Sequence, residues 1–311
     1  MKAVRHIDRI LREFPTLALL ALAHGGLFAL VVVAPPPLLF MPCAVFLVTL
    51  YLSLQHELIH GHPTSSARMN ALLGILPYPV LYPYEVFRAD HLQHHASNLT
   101  DPMDDPESFF LTRRQWREKS RLSRVFFVVH NTLVGRLILG PPRLALFLLL
   151  RALGDIFRPA EKFVARSDAM PVVAARHWLT HGILLVVWFV WLGVNGISVW
   201  FWLFAVAWPA NSLIHLRSYA EHRAEGLMSR RTVTILSPGL FSFLFLNNNF
   251  HITHHRHPGL VWWRLPARWR AEYRGGEAVI RGYSRIFAER RRAAVAAPVW
   301  PLDDLREARL E

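Results

Sequence analysis

The stretch TLALLALAHGGLFALVVVA (16–34), PPP (35–37), LLFMPCAVFLVTLYLSLQ (38–55) and HELIH (56–60) decides the fold. Each apolar run comes close to the roughly 20 residues a helix needs to cross a hydrocarbon layer of about 30 Å. Three consecutive prolines can neither continue a helix nor donate to its hydrogen-bond ladder, so the chain must turn between the runs. The result is a hairpin of two spans whose second arm ends in a histidine-rich segment. Working outward, Trp178–Val194, the turn pair Asn195-Gly196 and Ile197–Ile214 repeat the arrangement.

Composition supports a membrane protein. Of 311 residues, 53% are hydrophobic and 18% charged, below the roughly 25% charged residues of an average soluble domain. Seventeen histidines stand against one cysteine, Cys43, which excludes a disulfide-built domain, a thiolate zinc finger and a cysteine-ligated iron–sulfur protein. Only three of the 35 basic residues are lysine, and the net charge is +13. Basic residues precede the first span and crowd both long polar segments, whereas the two short turns carry none, so both termini and the polar segments are expected in the cytoplasm. An inner-membrane, multi-pass protein of bacterial origin follows, with no nucleic-acid partner. The apolar start lacks a clear cleavage site and runs into a second span, so it reads as a span and not as a leader.

Shorter apolar pieces at Ala71–Tyr82, Val125–Leu139 and Arg143–Leu153 are broken by Pro, Gly or Arg and suit interfacial or re-entrant helices. The expected architecture is therefore an all-α integral membrane protein. It has four transmembrane helices in two hairpins, near 16–34, 38–55, 178–194 and 197–214, and a cytoplasmic helical cap. Residues 1–260 form the membrane domain and 261–311 a basic cytoplasmic tail.

Three histidine groups lie on the cytoplasmic side. His56 and His60 are spaced i and i+4, on one helix face and about 5–6 Å apart. His91, His94 and His95 form H-x-x-H-H, a spacing that gathers three imidazoles on one face. His251, His254 and His255 repeat it 160 residues later, with His222 before them and His215 and His257 at the flanks. Each hairpin is thus followed by a sparse histidine element and then by H-x-x-H-H. Imidazole-only sites take iron, copper, nickel or zinc and not calcium or magnesium. The number of imidazoles calls for two ions. His6, His24, His130, His177 and His181 read as ordinary surface or satisfied residues, and His62 lies beside the first group without sharing its spacing. HELIH also matches the H-E-x-x-H of zinc proteases, but that reading leaves both H-x-x-H-H groups unexplained. A membrane metal transporter or sensor would need polar residues lining a path through the spans, which offer little beyond His24 and His181.

These residues resemble the membrane-bound fatty acid desaturase and hydroxylase superfamily. HELIH at 56–60, FRADHLQHH at 87–95 and NNFHITHH at 248–255 are similar to its three histidine boxes. The resemblance implies a non-haem di-iron centre of two Fe held by His56, His60, His91, His94, His95, His222, His251, His254 and His255. His222 in Ala220-Glu221-His222 is preferred over His215 as the isolated ligand. It further implies O2 as co-substrate and desaturation of a fatty acyl chain or similar lipid, with hydroxylation of a lipid, carotenoid or alkane as the alternative. Glu57 replaces the Asp common in the first box, and Phe87 stands where Trp is common in the second.

Carboxylates beside ligands are expected to accept from the second imidazole nitrogen. Glu57, Asp90 and Glu221 are candidates, and Asn247, one helical turn before His251, is a candidate to hold a water. Asp101, Asp104 and Asp105 read as a solvated acidic loop. No dinucleotide fingerprint or second cysteine supplies electrons, so a separate donor of ferredoxin, rubredoxin or cytochrome type is implied. Arg264, Arg268, Arg270, Arg274 and the run Arg290, Arg291 and Arg292 either dock it or adhere to anionic headgroups.

Overall fold

Proline and short polar side chains set where the helices begin. The computed structural model describes residues 2–157, 170–225, 227–237, 239–283, 285 and 300, with side chains from residue 11 onward. Helix α1 (Lys2–Val33) ends at the triple proline, and α2 (Pro37–Ile59) starts on it with proline in its first turn, where the missing N–H costs nothing. Ser66 accepts from Met69 N to cap α3 (Ala67–Gly74), and α4 (Tyr84–Ala96) follows Pro83. A Thr112–Gln115 capping box opens α5 (Arg113–Arg117), and Ser120 caps α6 (Arg121–His130). Helices α7 (Leu133–Phe157), α8 (Ala175–Val194) and α10 (Trp208–Glu221) complete the long elements, with the single turn α9 (Val199–Phe201) leading toward α10. A π-helical segment, Trp202–Ala207, links α9 to α10 and seats Trp202 so that its Nε1 donates to Tyr78 O at 3.0 Å. Two short helices, α11 (Gly239–Leu244) and α12 (His251–Arg256), precede α13 (Leu265–Glu272).

Among the described residues, five helices are long and apolar enough to cross a membrane: Leu11–Val33, Pro37–Ile59, Leu133–Phe157, Ala175–Val194 and Val199–Glu221. Four of them cover the expected spans to within two residues. The fifth, α7, joins the end of one expected interfacial piece to the whole of the next, straight through Pro141 and Pro142. A proline at 141 leaves the carbonyl of residue 137 without its helical partner. Trp208 Nε1 and Ser212 Oγ from α10 donate to Leu137 O at 3.1 and 2.7 Å, so the break is satisfied by a neighbouring helix and the helix continues.

The core runs between α1, α2, α8 and the 199–221 helix through Leu27, Val31, Val48, Leu50, Leu54, Leu192, Trp202 and Val206, all buried. Outward faces carry exposed Phe28, Val32, Ile183, Val187 and Val190, as a lipid-facing surface would. Residues 261–283, assigned from sequence to the basic tail, pack on this body through Val261, Trp262, Leu265 and Ile280. Strand β2 (Val279–Arg281) pairs in parallel with β1 (Thr234–Leu236), with Ile235 opposite Ile280. Arg290, Arg291 and Arg292 lie outside the described residues.

Candidate metal centre

Four helix ends meet at one end of the bundle. Helix α2 brings His56, with His60 at its C-cap, and their rings are 4.8 Å apart. Helix α4 brings His91, His94 and His95; α10 ends with His222 as its C-cap; and α12 brings His251, His254 and His255. These nine imidazoles sort into two groups, His56, His60, His91, His95 and His254 in one and His94, His222, His251 and His255 in the other. Within each group one ligand atom per residue lies within 4.8 Å of all the others. Both groups draw on α4 and α12, because the odd residue of each H-x-x-H-H turns to the opposite group.

The Nε2 atoms point at one another. In the first group His91 Nε2 stands 3.0 Å from His60 Nε2 and 3.1 Å from His95 Nε2, and His254 Nε2 is 3.1 Å from His95 Nε2. In the second, His222 Nε2 lies 3.1 Å from those of His94 and His251, and His255 Nε2 is 3.0 Å from His251 Nε2. Nitrogens about 2.1 Å from one ion and at right angles across it stand roughly 3.0 Å apart. His56 Nε2, buried in the first group, has no hydrogen-bond partner. So many converging lone pairs repel unless a cation sits among them, and the donor set fits a transition metal in each group.

Several imidazoles are fixed from behind. His94 Nδ1 donates to Asp105 Oδ1 at 2.8 Å and His91 Nδ1 to Glu107 Oε1 at 2.9 Å, which leaves both Nε2 atoms as lone pairs facing the groups. His222 Nδ1 donates to Ser218 O at 2.9 Å, and Glu221 Oε2 lies 3.4 Å from His251 Nδ1 and 3.4 Å from Arg217 Nε. Burial, followed by repulsion from neighbouring imidazoles, lowers the pKa of His60, His91, His95, His251, His254 and His255. Burial and then His94 bring His222 down to about 4. At His94 burial pulls the same way, but Asp105 and Glu107 outweigh it and raise the group to about 9. Most of the set is therefore neutral at pH 7, the form that binds metal.

Other expected participants stand elsewhere. His62 donates to Glu13 and faces Gly259 O, at 3.1 Å each, in neither group. His215 lies seven residues before His222 on α10 and in neither group; its Cβ and Cγ come 3.9 Å from where a Cβ on Gly140 would be. Asp90 turns away from the imidazoles to Arg151 Nη1 at 2.5 Å and to the Tyr82 hydroxyl, tying α4 to α7. Glu57 keeps Oε1 3.8 Å from His56 Nδ1 while its Oε2 accepts from Trp262 N at 3.2 Å. Asn247 is in the left-handed region, φ 54°, in a turn ahead of α12, and its Nδ2 donates to Trp262 O at 3.3 Å; the expected helix before His251 does not exist there. His24 and His181 are satisfied by Tyr78 and Leu73, and by Val80 O, respectively.

The acidic segment after the second histidine box corrects the solvated-loop expectation. Asp105 is 3% exposed and Asp101 5%, and Glu107, not singled out from sequence, serves His91. The signal was there in two acids that follow HLQHH within about a dozen residues, close enough to fold back on it. Arg217, buried beside Glu221, was also missed.

A family model described as "Fatty acid desaturase" matches residues 28–284, most of the chain and every histidine in the two groups. No curated protein matches at a significant level.

Proposed function

We propose that this chain, which belongs to the fatty acid desaturase family, is an O2-dependent di-iron desaturase that introduces a double bond into a fatty acyl chain or similar lipid. The observation that carries the reading is the pairing of five and four convergent imidazoles in a chain of an oxidoreductase family. His56, His60, His91, His95 and His254 would hold one iron, and His94, His222, His251 and His255 the other. When bound, the iron pair supplies reduction of O2 and removal of hydrogen from an unactivated C–H bond.

The remaining work falls to the protein. Asp105 and Glu107 hold the His94 and His91 rings with their lone pairs inward. The buried walls of α2 and α4 keep water from the imidazoles, and the apolar bundle beneath admits a lipid from the bilayer. We place α1, α2, α8 and the 199–221 helix across a bacterial inner membrane, with both termini and the imidazole cap in the cytoplasm. Helix α7 lies at the interface in this arrangement, since its Arg151 is paired with Asp90 on the cap helix α4. Electrons come from a separate ferredoxin, rubredoxin or cytochrome-type donor. The exposed Arg270 and Arg274 of the basic segment would meet its acidic face, whereas Arg268 is paired with Glu272.

Lipid mass spectrometry of cells expressing wild type and His94→Ala tests the reading. A product lighter by two hydrogens, present only with wild type, is expected. A product heavier by one oxygen would assign the same centre to hydroxylation. Purified protein should carry about two irons, and a single zinc would replace the proposal with the protease reading.

A further inference from the structure

The loop 98–112 carries the two acids that orient His91 and His94, one imidazole from each group, yet it contains no regular ladder to hold it. Its order comes from side chains. Asp105 Oδ2 accepts from Thr100 N at 2.7 Å, Asp105 Oδ1 from Glu107 N at 2.9 Å, and Ser108 Oγ donates to Thr100 O at 2.7 Å. Thr100 itself has φ 68°, a conformation unfavourable to a β-branched residue, which persists only where the surroundings impose it.

Two groups from elsewhere in the chain impose it. Arg231 Nη1 donates to Asn98 Oδ1 at 2.6 Å and to Leu99 O at 2.8 Å, fixing the start of the loop. Trp300, 3% exposed, donates its backbone N–H to Leu111 O at 2.9 Å and its indole N–H to Thr100 Oγ1 at 3.3 Å, and its ring lies 5.5 Å from the Arg231 guanidinium. A single residue near the C-terminus thus ties together both ends of the loop, its backbone at Leu111 and its indole at Thr100, and lays its ring beside the arginine that holds the loop's beginning.

We propose that Trp300 is a positioning residue for the candidate metal centre: by closing loop 98–112 at Thr100 and Leu111, it holds Asp105 and Glu107 where they orient one imidazole in each group. The proposal rests on reading the two groups as metal sites. The indole N–H holds the Thr100 hydroxyl, and the Thr100 backbone N–H binds Asp105, so loss of the indole loosens Asp105 through one shared residue. Ordinary packing by a buried tryptophan would stabilise the fold without affecting the metals.

The test uses full-length protein in detergent or nanodiscs, comparing wild type with Trp300→Ala and Trp300→Phe. Iron content, the Mössbauer spectrum of the iron-loaded protein, the rate of iron release to a chelator, and hydrogen–deuterium exchange of 98–112 are measured. We expect Trp300→Ala to release iron about tenfold faster or more, the scale seen when support behind a ligand is lost, with an altered spectrum and faster exchange in 98–112. Trp300→Phe, which keeps a ring on Arg231 without the N–H, should fall between and guards against a simple failure of Trp300→Ala to fold. Folded variants that melt earlier but hold iron with the wild-type spectrum and release rate overturn the positioning role. Wild-type protein that binds no metal overturns the underlying metal reading, and the role falls with it, while the exchange data still report separately whether Trp300 closes the loop.

Discussion

The two imidazole groups differ in what they own and in what stands behind them. The first has five ligand candidates, and its main carboxylate support, Glu107 on His91, is 21% exposed in its side chain. The second has four, supported by Asp105, whose side chain is 2% exposed, and by the Ser218 carbonyl, with the fully buried Glu221 at 3.4 Å from His251 Nδ1. One group is built on ligand number and the other on buried support. The difference teaches where each is fragile: the second group has no imidazole to spare, whereas the first depends on an acid that water can reach.

The largest effects should come from removing ligands. His94→Ala leaves three imidazoles in the second group, and His254→Ala leaves four in the first. Both variants are expected to abolish turnover while inserting into the membrane normally. Iron content should drop further toward one per chain in His94→Ala than in His254→Ala. Equal losses, measured on purified protein, would break the distinction, and retained turnover in either variant would remove that residue from the centre.

Next in size are the supports. Asp105→Asn and Glu107→Gln keep shape and remove charge, and weakening such a partner costs about 10–100-fold in metal affinity. Chelator competition should place Asp105→Asn near the upper end, because its carboxylate is buried against His94, and Glu107→Gln near the lower end, because solvent can replace it. The reverse order would mean that burial of the acid does not set how much it contributes to retention.

What the sequence made legible follows the same line. Spans and histidine boxes are local patterns, apolar runs of fixed length and imidazoles at helical spacing, so their grouping could be read from neighbouring residues. The roles of Asp105 and Glu107 depend on long-range closure by Arg231 and Trp300, which no local pattern announces. The acids therefore looked like a solvated loop. Helix α7 was hidden for a similar reason. Its continuation through Pro141 and Pro142 needs Trp208 and Ser212, 71 and 75 residues from the carbonyl they satisfy. Asn247 does not sit one helical turn before His251, because the chain turns at Leu246 and Asn247 with positive φ.

A smaller, pH-dependent effect sharpens the contrast within the second group. His222 binds a proton near 6.5 when unfolded but only near about 4 when folded, so its contribution to stability is full above 6.5 and lost as pH falls toward 4. His60, His91, His95, His251, His254 and His255 are shifted in the same direction. His94 opposes them: raised to about 9 beside Asp105, it contributes fully below 6.5 and loses that contribution as pH rises through 9. Metal-stripped protein should therefore melt several degrees lower at about pH 5.5 than at about pH 7.5, since the lowered groups outnumber the raised one. In Asp105→Asn the opposing contribution disappears and the acid-side loss steepens. A melting temperature that rises on acidification would mean that the His94–Asp105 pair dominates the whole cap.

The smallest expected effect is the most discriminating for the second group's membership. His215 and His222 lie seven residues apart, which on an α-helix is close to two turns and so nearly the same face. The same geometry puts them about 10 Å apart along the axis, too far for both to bind one ion at about 2.1 Å. His215 is instead spent on the contact between α10 and α7, where Gly140 gives it room. His215→Ala should leave about two irons per chain and an unchanged Mössbauer spectrum, with its cost confined to melting temperature, while His222→Ala strips the second group. If His215→Ala lost an iron and His222→Ala kept both, the isolated ligand would be His215, and the four-membered group would have to be rebuilt about two turns deeper in the bundle.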